Sequence, residues 1–260
     1  MIQNVVMIGA GNLATQLSIA LHENGIEVLQ VYSRTIESAK ILADKVNSRY
    51  TNLLKDIVPN ANLYIFALSD KALQAVLDQI SLPIGNAVHT AGSIPMDIFE
   101  NYTKHFGVFY PLQTFSKQRK VDFSDIPICI EANNIGLEED LFQLGERISS
   151  NLNSISSEQR KQLHLAAVFT CNFANHMYSI GQKLLEEKDV DFKLLTPLIQ
   201  ETAQKVIDLN PLSAQTGPAV RFDEEIMTSH QKALKDTPDF QKLYSFVSES
   251  IFKMHFENNK

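Results

Sequence analysis

Hydrophobic and polar positions divide the chain into two regions with different periodicities. Up to about residue 150, short continuous apolar runs alternate with segments whose apolar positions recur at helical spacing. The apolar runs predict strands at 4–8, 27–32, 48–50, 62–68, 86–91, 106–110 and 126–131. The segments between them predict helices at 12–24, 36–46, 71–80 and 136–150. Strands that alternate with helices are typical of the α/β class, with a doubly wound parallel sheet.

The second region, from about residue 153, shows helical periodicity only. Helices are predicted at 160–187, 192–208, 223–235 and 238–256, with a loop at 213–218. The predicted domains are therefore an α/β domain at 1–152 and an all-α domain at 153–260.

The first helix of the second region carries no Lys, Arg, Asp or Glu from Gln162 to Gln182. At about 100° per residue, its apolar positions form one wide face. The polar positions form a narrow stripe on the other side, made of His164, Asn172, Asn175 and Ser179. A helix of this kind is buried on most sides, so we expect a homodimer through the helical domain. The stripe must find partners, which are either core groups or a substrate cleft.

The first predicted strand runs into the motif Gly9-Ala10-Gly11-Asn12-Leu13-Ala14, which opens a helix. Gly9 permits a tight turn, and Gly11 lets the backbone approach a pyrophosphate. Asn12 and Leu13 begin the helix, whose free N–H groups and dipole favour phosphate. The motif in this context predicts a Rossmann dinucleotide site, with Leu68 and Ser69 at the end of another strand in the same crevice. The alternative is a degenerate Rossmann domain that keeps the glycines for packing.

The end of the second strand indicates which dinucleotide binds. NAD-binding chains usually carry Asp or Glu there, whereas this chain has Ser33, Arg34 and Thr35. No carboxylate repels a 2′-phosphate, and Arg34 can hold one through charge-assisted hydrogen bonds. The predicted cofactor is therefore NADP.

Three further residues are candidate substrate contacts. His89 and Ser93 follow a predicted sheet strand, at the edge where this fold binds ligands. His89 could instead terminate the strand through its own hydrogen bonds. Arg221, just before a predicted helix, could clamp a carboxylate or pair with Asp223 and its acidic neighbours.

Composition narrows the function further. The 260-residue chain has a formal net charge of −7, which disfavours a nucleic-acid partner. No uncharged run is apolar enough to cross a membrane, and no basic leader precedes the first strand. Its two cysteines have no metal-ligand spacing, so no metal site is predicted. We expect a cytoplasmic protein that acts on a small molecule.

The motifs resemble those of the pyrroline-5-carboxylate reductase and deazaflavin-dependent NADP reductase group, within the 6-phosphogluconate-dehydrogenase-like superfamily. A bacterial family of Rossmann-like proteins with a C-terminal helical domain of unknown function is similar over most of the chain. The motifs that carry the resemblance are Gly9–Ala14, Ser33–Thr35, Leu63–Leu68, His89–Ser93, Tyr110–Phe115, His164–Val168 with Asn172, and Gly217–Asp223 with His230.

The resemblance implies an NADP-dependent oxidoreductase that moves hydride to or from a small carbonyl or imine. Hydroxyacid dehydrogenases of the superfamily carry a Lys one turn from an Asn on the interdomain helix, but here Val168 precedes Asn172. The predicted catalytic residues are therefore His164 as proton donor and Asn172 as orienting group, with Asn175 as a substrate contact. The missing lysine also suits a non-catalytic NADP sensor or regulator. Reduction of NADP by a deazaflavin is disfavoured, because that activity requires a far smaller second domain.

Overall fold

A computed structural model of the chain describes residues 1–80 and 85–258. The last two residues of the predicted domain 153–260 lie outside this described part. The chain divides into two compact units, Met1–Cys171 and Asn172–Lys260. Each unit is considered by itself below.

Within the described residues, the first unit holds one eight-stranded sheet. Its strands are β1 Asn4–Ile8, β2 Glu27–Tyr32, β3 Arg49–Thr51, β4 Leu63–Phe66, β5 Ala87–His89, β6 Phe106–Pro111, β7 Ile128–Ala132 and β8 Leu152–Ser154. The order across the sheet is β3-β2-β1-β4-β5-β6-β7-β8. Every pairing is parallel except that of β6 with β7. The predicted Rossmann class is confirmed, but the sheet is mixed because β7 and β8 run opposite to the rest.

Helices cover both faces of this sheet. They are α1 Asn12–Glu23, α2 Ile36–Lys45, α3 Asp70–Leu77, α4 Ile135–Glu146 and α5 Ser157–Ala167. Val5 and Met7 of β1 pack with apolar residues of α1, α2 and α4, whereas Val6 and Ile8 pack with those of α3. This alternation follows from the two-residue period of a strand. The strand order changes direction between β1 and β4, which is where open α/β sheets bind ligands.

The second unit is helical but has almost no core of its own. Its helices are α6 Ala174–Glu186, α7 Thr196–Asp208, α8 Pro211–Ala214, α9 Glu224–Ala233 and α10 Pro238–Asn258. Among the described side chains of 172–256, only Ala219, Leu234 and Ser248 are buried. Met177, Leu184 and Phe240 help to line an apolar cavity of about 290 Å³ inside this unit. A helical unit with so few buried side chains lacks the apolar burial that normally stabilises a domain of this size.

The uncharged helix predicted at 160–187 is interrupted. A π-helical segment, Val168–Phe173, separates α5 from α6. Its i→i+5 hydrogen bonding breaks the 100° spacing on which the polar stripe was predicted. The helix begins earlier than expected, because Ser156 and Gln159 form a capping box. The boundary predicted at 152 falls inside β8, whereas the compact units divide after Cys171.

Candidate functional site

Glycine occupies positions 9 and 11 of the first turn for different structural reasons. Gly9 has φ +126°, and a Cβ on it would lie 2.2 Å from the carbonyl oxygen of Ala67. Gly11 precedes α1, and a Cβ on it would meet nothing within 4 Å. No side chain caps this helix within the described residues, and its first turn has no acid. No side-chain cap therefore competes for the first N–H groups of α1, as a phosphate-binding turn requires.

A crevice of about 790 Å³ lies at this turn. It brings together seven residues predicted to bind the cofactor, namely Gly9, Gly11, Ser33, Arg34, Thr35, Leu68 and Ser69. Asn12 and Leu13 lie in the first turn of α1 beside it. These positions come from the ends of β1, β2 and β4, which meet at one edge of the sheet.

The charge of the crevice is opposite to that of the chain. Arg34 and Lys71 line it, and none of the described residues in its lining is acidic. The Thr35 hydroxyl donates to the Ser38 hydroxyl at 2.8 Å, which places two hydroxyls beside Arg34. Two cations and several hydroxyls suit a nucleotide with an extra phosphate, so the residues present fit NADP. Lys71 and Ser38 were not predicted from the sequence.

His89 is fully buried at the end of β5. Its Nδ1 accepts from the N–H of Ala91 at 3.1 Å, and its Nε2 lies 3.3 Å from the carbonyl oxygen of Pro95. Burial, with a smaller effect of the Arg160 charge, lowers the pKa of His89 to about 3. The neutral ring thus organises its own loop and has no free nitrogen for a ligand. This geometry corresponds to the strand-terminating alternative.

The loop after His89 is held by a buried guanidinium. Arg160 of α5 is fully buried and donates from Nη1 to Oε2 of Glu131 at 2.5 Å. The same side chain donates to the carbonyl oxygens of Ala91 at 3.2 Å and Ile94 at 2.5 Å. The Ser157 hydroxyl also donates to Glu131, at 2.7 Å. Arg160 therefore fixes the loop that carries Gly92 and Ser93 against α5 and β7.

His164 lies one turn after Arg160, over the same loop. A Cβ on Gly92 would come within 2.6 Å of Cγ and Nδ1 of His164. Nδ1 also lies 3.2 Å from the hydroxyl of Tyr110. Next to them, the Ser93 hydroxyl donates to a carboxylate oxygen of Asp70 in a short hydrogen bond. These contacts place the predicted proton donor at the carboxyl end of β5.

The remaining predicted residues belong to the second unit. Asn172, Asn175 and Arg221 are all exposed there. Within the described residues, Arg221 forms no ion pair with a carboxylate, so the alternative pairing with Asp223 and its neighbours does not form there. The roles of these three residues remain predictions.

Two features of the site were missed at the level of sequence. Arg160 and Tyr110 each contact residues far along the chain. Arg160 belongs to no motif, and Tyr110 opens the motif Tyr110–Phe115 without a role assigned to its own side chain. A weak signal was available, because Arg160 and His164 are four residues apart and share a helix face.

The described residues contain neither a metal-binding group nor a membrane-spanning helix. No group of three His, Cys, Asp or Glu side chains there could hold a metal ion. Of the helices in the described ranges, none has the length and apolar character needed to cross a membrane.

Comparison with protein families gives two matches, one near each end of the chain. Residues 2–80 match the shikimate/quinate 5-dehydrogenase family. Residues 126–251 match a domain of unknown function, DUF2520. No protein of curated function is significantly similar to the chain.

Solved structures give the whole-chain comparison. A "putative NADP oxidoreductase" from Bacteroides fragilis is 48% identical, covers 97% of this chain and 98% of its own, and has a TM-score of 0.92. A pyrroline-5-carboxylate reductase from Coxiella burnetii is 14% identical, with coverage of 99% and 98% and a TM-score of 0.56. A reductive aminase from Aspergillus terreus, in complex with NADPH and ethyl-5-oxohexanoate, is 14% identical, with coverage of 99% and 93% and a TM-score of 0.65.

The last two structures share the fold alone, whereas the first shares sequence along nearly the whole length. The resemblance predicted from the motifs is thereby confirmed. The chain belongs to the same family of Rossmann-fold oxidoreductases as the Bacteroides fragilis protein.

Proposed function

We propose that the chain is an NADP-dependent oxidoreductase that transfers hydride between NADPH and a small carbonyl or imine substrate. The observation that carries this proposal is the arrangement along one edge of the sheet. The glycine turn and Arg34 lie at the ends of β1 and β2, and His164 lies over the loop after β5. A phosphate-binding crevice and a proton-donating side chain thus share the edge where this fold binds ligands.

Each part of the crevice has a separate task. The N-terminus of α1 would hold the pyrophosphate, and Arg34, Thr35 and Ser38 would hold the 2′-phosphate. The nicotinamide, when bound, supplies or accepts the hydride. His164 donates the accompanying proton to the oxygen or nitrogen of the reduced bond.

The substrate contacts follow from the same assignment. Ser93 lies beside His164 and is the proposed contact from the first unit. Asn172, Asn175 and Arg221 are the proposed contacts from the second unit, with Asn172 orienting the substrate. Two structural relatives support a carbonyl or imine substrate: a reductive aminase with NADPH and a keto ester, and an imine reductase from Myxococcus stipitatus with NADP+.

The protein would work as a homodimer formed through its helical unit. Large apolar side chains of this unit are exposed in the single chain, including Leu194, Leu198, Ile207 and Phe246. The unit buries too few side chains to be stable alone, and a second copy supplies the cover that its apolar helices need.

The first experiment measures NADPH binding by fluorescence titration. A panel of keto acids, keto esters, aldehydes and cyclic imines is then screened for NADPH oxidation. The His164→Ala change should lower kcat by about 10²–10⁴-fold, the usual contribution of a general acid, and leave NADPH affinity unchanged. His22→Ala, at the end of α1, is the control, and it should change neither kcat nor the affinity for NADPH.

The outcomes separate the hypotheses. A protein that does not bind NADPH overturns the proposal altogether. Tight binding without turnover across the panel favours the alternative, a sensor or regulator that binds NADP and catalyses nothing.

A further inference from the structure

Among the described residues, Tyr110 is the one side chain of the sheet that makes a hydrogen bond to the His164 ring. Its hydroxyl lies 3.2 Å from Nδ1 of His164, and the two rings meet edge to face with centroids 6.3 Å apart. Tyr110 lies near the end of β6, opposite Cys129 of β7. In the sequence it appears as the first residue of the motif Tyr110–Phe115, and no role was assigned to its side chain.

The surroundings of Tyr110 keep its phenol protonated, so that it is able to donate this hydrogen bond. Tyr110 is buried, and this burial raises the pKa of its hydroxyl, with a small opposing effect of the Arg160 charge. The neighbouring Cys129 thiol has a pKa raised by burial and stays neutral. The phenol therefore keeps its proton, and among the described residues Nδ1 of His164 is the one hydrogen-bond partner of its hydroxyl. Which of the two donates depends on the tautomer of His164.

A phenol that donates to Nδ1 fixes the other nitrogen. In the neutral imidazole one nitrogen accepts and the other carries hydrogen, so the proton lies on Nε2. Nε2 has no hydrogen-bond partner among the described residues, and the ring is half-buried. In this tautomer His164 offers an N–H donor on its open side.

The ring cannot easily leave this position. Gly92 lies so close under it that a single added methyl group would come within 2.6 Å of Nδ1. The Gly92 loop is in turn held by Arg160, whose charge is paired with Glu131. The contact between Tyr110 and His164 is therefore built into three elements, β6, α5 and the loop after β5.

We propose that Tyr110 is a positioning residue that holds His164 as the Nε2–H tautomer and replaces the proton that His164 gives to the substrate. In reduction, the Nε2 proton moves to the substrate oxygen or nitrogen while the Tyr110 proton moves to Nδ1. The imidazole stays neutral, and the phenolate forms near Arg160. Solvent then protonates Nε2, and Nδ1 returns its proton to Tyr110. The catalytic meaning of this arrangement rests on the proposed function, but the tautomer does not.

The tautomer can be measured without a substrate. Long-range ¹H–¹⁵N spectra of protein with ¹⁵N-labelled histidine report which ring nitrogen carries hydrogen. His164 is assigned as the signal lost in His164→Gln. For the neutral ring we expect a pyridine-type shift at Nδ1 and a pyrrole-type shift at Nε2. In Tyr110→Phe, which removes only the hydroxyl, both shifts should move towards averaged values.

A matched control and a second variant complete the test. Tyr102→Phe removes a hydroxyl that donates to Asp78 and should leave the His164 shifts unchanged. If Tyr110→Phe does not fold, Gly92→Ala should displace the ring and give the same averaging. A wild-type Nδ1–H tautomer, or shifts that ignore the loss of the hydroxyl, would overturn the proposal even if NADPH binds.

An activity arm follows if the substrate screen succeeds. Without the Tyr110 hydroxyl, no group replaces the proton that His164 gives to the substrate, so the kcat of Tyr110→Phe should fall while its KM stays unchanged. A kcat equal to that of the wild type would contradict the relay.

Discussion

The guanidinium of Arg160 and the carboxylate of Glu131 form an ion pair whose arginine side has no exposure to solvent. Removing one partner of such a pair leaves the other uncompensated. Arg160→Met should therefore lower the free energy of unfolding by about 3–5 kcal/mol. Urea denaturation measures the change. Lys40→Met, which breaks the exposed pair with Asp44, is the control and should cost less than about 1 kcal/mol.

Arg34 should determine the cofactor preference. The wild type should bind NADPH more tightly than NADH, and Arg34→Ala should lose most of this difference, about 1.5–3 kcal/mol. Fluorescence titration with both cofactors makes the comparison. Lys71→Gln removes the other cation of the crevice and should weaken binding of NADPH less than Arg34→Ala does. Equal wild-type affinities for the two cofactors would refute the assignment.

Gly11→Val should abolish NADPH binding and leave the fold intact. The position has ordinary backbone geometry and open space around it, so valine is tolerated by the protein but occupies the room of a pyrophosphate. Calorimetric titration gives the binding, and thermal unfolding gives the stability. Normal binding by this variant would mean that the crevice is not the cofactor site.

His89 should make stability depend on pH. Its pKa is lowered to about 3 in the folded protein from 6.5, so below pH 6.5 the unfolded state binds a proton that the folded state does not. Stability should fall by about 1.4 kcal/mol per pH unit as pH drops from 6.5 towards 3. Urea unfolding at pH 7, 6 and 5 gives this slope. The slope should flatten in His89→Gln, and identical slopes in the two proteins would contradict the prediction.

The proposed homodimer should show in the mass of the protein in solution. Light scattering should give twice the 29.2 kDa mass of one chain. Leu194 is 72% exposed in the helical unit, and Leu194→Glu should weaken the dimer by placing a charge in its interface. Ile135→Glu changes a side chain that is 75% exposed on α4, and it should leave the dimer intact. A wild-type monomer at micromolar concentration would exclude this assembly.

The parts of the fold that depend on local patterns were predictable. Buried strands such as β1 and β4 show as continuous apolar runs, and the glycine turn follows from its spacing. β8 was missed because Leu152–Ser154 is short, polar and at the edge of the sheet.

The parts that depend on distant contacts were not predictable. Arg160 resembles any charged residue on the first turn of a helix, and its burial depends on a carboxylate 29 residues away. The π-helical segment at Val168–Phe173 contains no proline or glycine that would mark it. A uniform 100° spacing could therefore place His164 on a face of α5. It could not predict which face Asn172 occupies, because the π-helical segment changes the angle between the two residues.

The two glycines of the first turn divide the demands of folding from those of binding. Glycine at position 9 is required by the fold itself, because both its backbone angle and the Ala67 carbonyl exclude a side chain. At Gly11 a Cβ would meet nothing within 4 Å, so we expect that only cofactor binding requires glycine there. A mutational scan scored for protein abundance should therefore be intolerant at residue 9 and permissive at residue 11. The same library scored for retention of the variants on immobilised NADP should be intolerant at both residues. The two scores together would separate the requirement for folding from the requirement for binding within one short motif.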